Sequence, residues 1–146
     1  MGYTHYYTIS EMGLAISRDI NYKKFTIMAE SIITHAEESG IALADGLGET
    51  LGAWEVSNET VRLNGYGADS HETFGVPRVA SVYGGNFCKT ARKPYDAVVT
   101  ALLIALQDAY GDSANVESDG YPEEWAKGLE LFESATGLAG AVPPGV

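Results

Sequence analysis

Residues 97–106 form an apolar run that constrains the fold more than any other part of this chain. Every residue in the run except Thr100 is Ala, Val, Leu or Ile, so a helix here is apolar on nearly every side. Pro94 suits the first turn of such a helix, and Gly111 suits its end. A helix without a polar face is buried by a sheet on one side and by another helix or subunit elsewhere. The sequence therefore predicts a central core helix over 94–111.

Weaker patterns on both sides of this helix predict the other elements. Alternating β-forming residues predict a strand at 3–9, and apolar residues at helical spacing predict a helix at 21–39. A third helix is expected to begin at Pro122 and to end at Gly137. Further strands are expected at 61–65, 72–78, 86–90 and 115–118, with a weaker one near 54–56.

The order of these elements predicts an α+β fold. Successive strands joined by short Gly-containing turns favour an antiparallel sheet of about four to five strands, with three helices packed mainly on one face. The length of 146 residues fits one domain, which we place at 1–137. Residues 138–146 carry no pattern and are expected to form a flexible C-terminal tail.

The charge balance limits the partners that this chain can bind. Nine Lys and Arg residues stand against twenty Asp and Glu residues, for a net charge of −11. Such a surface repels phosphates at long range, so direct nucleic-acid binding is not expected. The single cysteine, Cys88, excludes an internal disulfide and a thiolate metal cluster, and it is expected to be a small buried residue. No metal and no cofactor is predicted.

No targeting or membrane signal is found in the sequence. No apolar run approaches the roughly 20 residues that a membrane span needs. The N-terminus lacks the charged and then hydrophobic pattern of a signal peptide. We therefore expect a cytosolic protein without a membrane partner.

A basic island interrupts the acidic sequence. Between Glu72 and Asp96 there is no acidic residue, yet four cations fall there: Arg78, Lys89, Arg92 and Lys93. Cations beside the free N–H groups of a helix start favour an anionic ligand. Asp96 and Pro94 weaken this effect, and Gly84-Gly85 lie too far upstream to form a Walker loop. The alternative is a plain connection whose cations pair with the acidic surface.

The aromatic start of the chain is the second candidate site. Tyr3, His5, Tyr6 and Tyr7 follow one another on a predicted strand. Tyrosines on an extended strand can stack against a base or a sugar and can donate hydrogen bonds. Half-buried cross-strand pairs explain each of them equally well.

Two further groups have weaker chemistry. His71 and Glu72, beside Asp69, could act as acid and base, but on a strand they point to opposite faces. The segment 71–73 also contains His-x-Thr, the motif of two-histidine phosphoesterases, without the second copy that those enzymes need. Ser118-Asp119-Gly120 is most simply a turn or cap. No Gly-x-Ser-x-Gly elbow supports a serine hydrolase.

Several blocks of the sequence resemble a group of small proteins encoded by tailed bacteriophages. The blocks lie at residues 2–6, 63–65, 72–74, 87–98 and 118–120. In this chain Tyr7 stands where the group has Trp. The resemblance implies a viral accessory protein in the cytoplasm of an infected bacterium, with no established chemistry. Small phage proteins of this kind are similar to the sponges that sequester cyclic or ADP-ribose-derived signals of defence systems such as Thoeris and CBASS.

These observations lead to one main hypothesis and two alternatives. The main hypothesis is a homo-oligomeric, non-enzymatic binder of a small anionic nucleotide. Its expected ligand-binding residues are Lys89, Thr90, Arg92, Tyr95, Tyr6, Tyr7, His5, Arg62 and Glu72. In this set the cations hold phosphates, and the tyrosines stack on the base or bond the ribose. The alternatives are an enzyme that hydrolyses the nucleotide with Glu72, His71 or Asp96 as base, and an inhibitor or DNA mimic that binds a host protein through its acidic face.

Overall fold

The computed structural model describes residues 3–10, 15–79 and 86–146, and in this part the chain is α+β, as predicted. The three helices are α1 (Ala15–Glu38), α2 (Asp96–Tyr110) and α3 (Ala126–Thr136). The strands are β1 (Thr4–Ile9), β2 (Leu43–Ala44), β3 (Glu55–Val56), β4 (Thr60–Gly65), β5 (Phe74–Pro77), β6 (Asn86–Lys89) and β7 (Ala114–Ser118). Short 3₁₀ turns lie at Gly67–Asp69, Gly111–Ser113 and Pro122–Trp125.

The strands form two antiparallel sheets instead of the single sheet of four to five strands that we expected. The first sheet has the order β6-β1-β7, so β1 is its central strand. The second sheet is built around β4, which pairs with β2, β3 and β5. Alternation along one strand does not reveal its partner, and for this reason the sequence could not separate the sheets. The predicted break at Gly84-Gly85 lies outside the described residues.

In the described part of the chain, hydrogen bonds join the two sheets at two places. The hydroxyl of Tyr7 on β1 donates a hydrogen bond of 2.7 Å to the carbonyl of Gly75 on β5. Just before β5, the backbone N–H of Glu72 donates to the carbonyl of Lys89, and the N–H of Lys89 donates to the Glu72 carboxylate at 2.6 Å. One hydrophobic cluster then runs through both sheets and all three helices.

The core helix α2 is buried as predicted, because 11 of its residues are buried. It begins at Asp96, two residues later than Pro94, since a turn precedes it in which the N–H of Asp96 donates to the carbonyl of Lys93. Helix α1 begins at Ala15, before the predicted start at Asn21. In the described part of the chain, no helix combines the length and the apolar character needed to cross a bilayer.

The C-terminal segment 138–146, which we expected to be a flexible tail, lies against the rest of the protein in the structure. Val142 and Val146 pack against the hydrophobic core, and Pro143 is buried. The N–H of Gly140 donates to the carboxylate of Glu133 at 3.0 Å. The segment has no helix or strand, so its sequence has no periodic pattern. A sequence without such a pattern fits an ordered irregular segment as well as a mobile one.

Helices α2 and α3 meet at a point where a glycine is required. Gly128 on α3 lies directly against Thr100 on α2, and a β-carbon on Gly128 would overlap the Thr100 hydroxyl and approach the backbone nitrogen of Ala101 to 3.0 Å. The absence of a side chain lets the two helix backbones approach closely. This contact fixes the position of the α3 start relative to the α2 start.

We expect Gly128→Ala to destabilise the protein by about 1–3 kcal/mol, because the added methyl overpacks the α2–α3 contact. Chemical denaturation gives the change in the free energy of unfolding. Ser134→Ala, on an exposed position of the same helix, is the matched control and should change little. Thr100→Ala removes the overlapping oxygen and should restore part of the loss in the double variant. Equal stabilities of Gly128→Ala and the wild type would contradict the packing argument.

Candidate functional site

A cleft of about 420 Å³ opens where the starts of α2 and α3 meet. We call it the helix-start cleft. Its lining contains three cations, Arg92, Lys93 and Lys127, and three acids, Asp96, Glu123 and Glu124, together with Tyr3. Its volume lies in the range of about 300–1,000 Å³ that small-molecule sites occupy.

One wall of the cleft is a strained turn. Ala91 and Arg92 both have positive φ angles, of 52° and 56°, and the N–H of Lys93 donates to the carbonyl of Thr90 at 3.0 Å. The left-handed conformation costs a residue with a β-carbon about 1–2 kcal/mol. Two such residues in succession are uncommon, since turns of this type normally use Gly, Asn or Asp. The turn therefore needs strong support from its surroundings.

Thr90 supplies most of that support. Its side chain is fully buried, its N–H donates to the carbonyl of Tyr3 at 3.0 Å, and its hydroxyl donates to Asp96 at 2.5 Å. A hydrogen bond to a charged acceptor contributes about 1.5–3 kcal/mol. The hydrogen bond from Thr90 to Asp96 is therefore similar in free energy to the strain of one left-handed residue in the turn. Thr90 was predicted to bind the ligand directly, whereas the structure places it behind the cleft, where it holds the turn.

Arg92 is held only weakly at the surface of the cleft. Its guanidinium lies 4.2 Å from the centroid of the Tyr3 ring and 3.4 Å from the carboxylate of Glu124. The Arg92 side chain is 61% exposed, so the cation–π contact contributes about 0.5–1 kcal/mol and the ion pair about 0–1 kcal/mol. A stronger anion can therefore compete for this guanidinium at little cost.

Behind the cleft, His5 connects three elements. It lies on β1, is fully buried, and its Nε2 is 2.7 Å from the carboxylate of Asp96 at the start of α2. Its Nδ1 is 2.8 Å from the hydroxyl of Ser118 at the end of β7. The ring edges of Tyr3 and Trp125 pack against it, with centroid distances of 4.9 and 5.2 Å. His5 is thus enclosed, and it cannot touch a ligand in the cleft.

The Tyr3 hydroxyl is a buried polar group beside the cleft. It is buried and makes no hydrogen bond of normal geometry with the described residues, although Glu124 and Ser118 lie close to it. Burial, together with the negative charges of Asp96 and Glu124, raises the pKa of Tyr3 to about 12. The phenol is therefore protonated at neutral pH and can donate a hydrogen bond.

Two of the three acids of the cleft have partners, while the third, Glu123, forms no ion pair among the described residues. Asp96 accepts from His5 and Thr90, and Glu124 accepts from Arg92 and from the N–H of Tyr121. Within the described residues, Lys93 and Lys127 form no ion pair. The cleft thus offers two unpaired ammonium groups and a loosely held guanidinium.

Two predicted site tyrosines belong to the core. Tyr7 is 2% exposed and packs on Phe74, while Tyr95 is 0% exposed. The Tyr95 hydroxyl donates to the carbonyl of Glu72 at 2.7 Å. Neither ring is accessible for stacking on a base, so we remove both from the candidate site. Tyrosine suits both a core and a binding surface, and the sequence pattern alone does not separate these roles.

Glu72 and Lys89 are brought together, but away from the helix-start cleft. Their backbones and the Glu72 carboxylate join the two sheets, as described above. His71 is exposed, and its backbone is fixed by the buried amide of Asn64. No group of three or more His, Cys, Asp or Glu residues in the described ranges is placed to hold a metal. The structure therefore does not assemble the acid–base group around Glu72 and His71.

Tyr6 and Arg62 lie at separate places. Tyr6 is 43% exposed on the outer face of the first sheet, where Phe87 is its cross-strand partner and Asp119 accepts its hydroxyl at 3.3 Å. Arg62, on β4, lines a smaller cleft of about 220 Å³ beside Asp45 and Glu55. Of the nine predicted site residues, Arg92 is the one that lines the helix-start cleft.

Two residues that line the cleft, Tyr3 and Lys127, and one residue behind it, Ser118, were not among the predicted site residues. Tyr3 was considered with its neighbours but not assigned, and Ser118 was assigned to a turn. Lys127 is the one cation in the acidic stretch 112–133, and this position in the sequence could have identified it as a candidate site residue. Their proximity depends on the pairing of β1 with β7 and on the α2–α3 contact, which no local pattern encodes.

We expect Ala91→Gly to stabilise the protein by about 1 kcal/mol, because glycine adopts positive φ without steric cost. Ala97→Gly, in the first turn of α2, is the control and should destabilise by about 0.5–1 kcal/mol. Thermal and chemical denaturation measure both changes. A loss of stability in Ala91→Gly would show that the turn carries no strain.

We expect stability to fall as the pH rises above 9, in part through Cys88. Burial raises the pKa of its thiol from 9.0 to about 12, against a smaller lowering effect of Tyr95. Because the folded pKa is the higher one, the neutral thiol's contribution is complete below pH 9 and is lost as the pH approaches 12.

Urea denaturation between pH 8 and 11 measures this effect. The slope for the wild type should exceed that for Cys88→Ala by up to about 1.4 kcal/mol per pH unit. Comparing slopes cancels the constant cost of the cavity in Cys88→Ala. Identical slopes would mean that the thiol titrates normally in the folded protein.

Comparison of the whole chain with known proteins gives no match. No family model, no curated protein and no solved structure matches it. The resemblance of its sequence blocks to phage accessory proteins therefore remains an expectation.

Proposed function

We propose that this protein binds a small phosphate-bearing ligand of the nucleotide class in the helix-start cleft. The observation that carries the proposal is the set of donors around one cleft: Arg92, Lys93, Lys127 and the Tyr3 hydroxyl. Ammonium and guanidinium groups bind phosphate oxygens by charge-assisted hydrogen bonds. The cleft has three cations and three acids, whereas the whole chain has nine cations and twenty acids, so cations are more frequent in the cleft than in the chain as a whole.

The cleft also has a place for a base or a sugar. Apolar surface beside the cations is provided by Pro94, by Ala97 and by the methylene groups of the Lys127 side chain. The cation–π contact of Arg92 with Tyr3 leaves the outer face of the guanidinium open, since its side chain is largely exposed. A planar base can stack on that face.

Binding without turnover is the mode that fits this arrangement best. Asp96, one of the three acids that line the cleft, already accepts hydrogen bonds from His5 and Thr90. The host context and the role as a sponge for a bacterial defence signal follow from the sequence resemblance and belong to the same proposal. A sponge needs tight binding and high abundance, and it needs no catalytic group.

Binding through an acidic protein surface is the second candidate function. The outer face of the first sheet exposes Tyr6 and Phe87 side by side, at 43% and 59%, with Glu117 opposite Tyr6. Exposed aromatic residues among acids are suited to a basic protein partner. Such binding would not need Arg92, which separates the two functions experimentally.

We expect nucleotides with two or more phosphates to raise the melting temperature of the wild type, and Arg92→Glu and Lys127→Glu to abolish the shift. Differential scanning fluorimetry with cyclic dinucleotides, ADP-ribose, its cyclic forms and inorganic phosphate gives the readout. Lys24→Glu makes the same charge change on an exposed position of α1 and should bind as the wild type does.

Retained binding in both cleft variants would place the ligand elsewhere. No shift with any of these compounds, together with capture of a host protein by wild type and Arg92→Glu alike, would favour the acidic surface. Denaturing the loaded protein and recovering the nucleotide intact distinguishes sequestration from hydrolysis.

A further inference from the structure

Helix α1 carries two exposed isoleucines on the side that faces away from the core. Ile20 and Ile27 are 53% and 60% exposed, although α1 already buries an apolar face through residues such as Phe25 and Ile32. A surface helix normally has apolar residues on one face and polar residues on the other. The two isoleucines thus form a second apolar face, which the described part of the chain leaves largely uncovered.

The exposed residues of this face have the spacing of a coiled-coil seam. They are Ile20, Lys24, Ile27, Ser31 and Thr34, which are separated alternately by four and three residues. Residues with this spacing return to the same side of a helix, so they form one stripe about 21 Å long. We call it the α1 stripe. Because this spacing suits contact with a second helix, the stripe is a candidate docking surface.

Lys23 and Glu30 give the α1 stripe charges that complement those of a second copy. Both residues are exposed, and because they are seven residues apart they lie along the same edge of the stripe. When two α1 helices pair in opposite directions around Ile27, Lys23 of each copy comes beside Glu30 of the other. Within the described residues, neither side chain forms an ion pair inside its own chain. Two ion pairs between the copies are therefore available along this edge.

The charge around the α1 stripe also permits two copies to approach. Each chain has a net charge of −11, which opposes association through most of the surface. The stretch 18–34 is an exception, because it contains three cations and two acids. Three of the nine cations of the chain thus lie in this part of α1. A second copy meets less repulsion here than an average part of the surface would give.

We propose that the α1 stripe is a homodimer interface, in which α1 of one copy packs antiparallel against α1 of a second copy. Ile27 contacts Ile27 of the second copy at the two-fold axis, and Ile20 contacts Thr34 at each end. The ion pairs between Lys23 and Glu30 select the antiparallel direction. An interface made by one helix pair is small, so the dimer dissociates reversibly on dilution.

This interface is separate from the proposed nucleotide site and extends beyond it. None of the residues that line the helix-start cleft belongs to α1. Each subunit of the dimer therefore keeps its own cleft, and dimerisation does not depend on a ligand.

Sedimentation equilibrium over a wide range of protein concentration tests self-association. We expect the mass of the wild type to rise from 15.6 kDa towards twice that value. Ile27→Glu should stay monomeric, because it places two like charges at the centre of the pair. Ser134→Glu introduces the same charge on an exposed position of α3 and should associate as the wild type does.

Exchange of the edge charges tests the antiparallel direction. Lys23→Glu and Glu30→Lys each bring like charges together twice in a homodimer, so each should weaken self-association about tenfold. A mixture of the two variants recreates both opposite-charge pairs. The mixture should therefore form a heterodimer about as readily as the wild type forms a homodimer, and native mass spectrometry distinguishes the three species by mass.

A cysteine at the centre of the α1 stripe reports the contact directly. The axes of packed helices lie about 8–10 Å apart, which brings the α-carbons of residue 27 in the two copies within the range of a disulfide. Ile27→Cys should form a linked dimer on mild oxidation, much faster than Ser134→Cys. The native Cys88 is buried and should not take part.

A wild-type mass of 15.6 kDa at every concentration would overturn the proposal. Dimers of Ile27→Glu as stable as those of the wild type would place the interface elsewhere, and failure of the two charge variants to pair would exclude the antiparallel arrangement. The substituted positions are exposed, and melting temperatures confirm that each variant is folded. Nucleotide binding is measured separately by thermal shift with Arg92→Glu, so failure of one proposal is distinguishable from failure of the other.

Discussion

The rest of this structure depends on the two hydrogen bonds that the buried imidazole of His5 makes. It joins the central strand of one sheet to the start of the core helix through Asp96, and to the last strand through Ser118. Thr90 bonds the same carboxylate and thereby fixes the turn that carries Arg92. Breaking the His5–Asp96 contact would leave polar groups buried without partners, which is more costly than the net stability that such a contact contributes.

Much of the fold could be predicted from the sequence because its strongest signals are local. The apolar run at 97–106 specified a buried helix, and Gly137, with φ of 72°, ends α3 as expected. The division into two sheets could not be predicted, because Tyr7 and Gly75 meet through a contact between residues far apart in the chain. The packing of residues 138–146 against the core likewise depends on contacts with residues that are distant in the sequence.

The candidate site was predicted only in part, for a related reason. The basic island pointed to Arg92, and the structure places Arg92 and Lys93 in a cleft. Tyr7 and Tyr95 were assigned to stacking because tyrosine suits both surfaces and cores, and burial decided against it. The hydrogen bonds that connect His5, Asp96 and Ser118 form only when β1, α2 and β7 pack together, so the spacing of these residues in the sequence does not predict them.

The contact of Gly128 with Thr100 also limits how the cleft can change shape. Because there is no room between these residues for even one methyl group, α3 has little freedom to slide along α2. The part of the cleft at Gly128 and Thr100 is therefore rigid, and adjustment to a ligand falls to the long side chains of Arg92, Lys93 and Lys127. Under the proposed function, the part of a ligand that reaches Gly128 and Thr100 would be limited in size, whereas the part at the rim of the cleft would be free to vary.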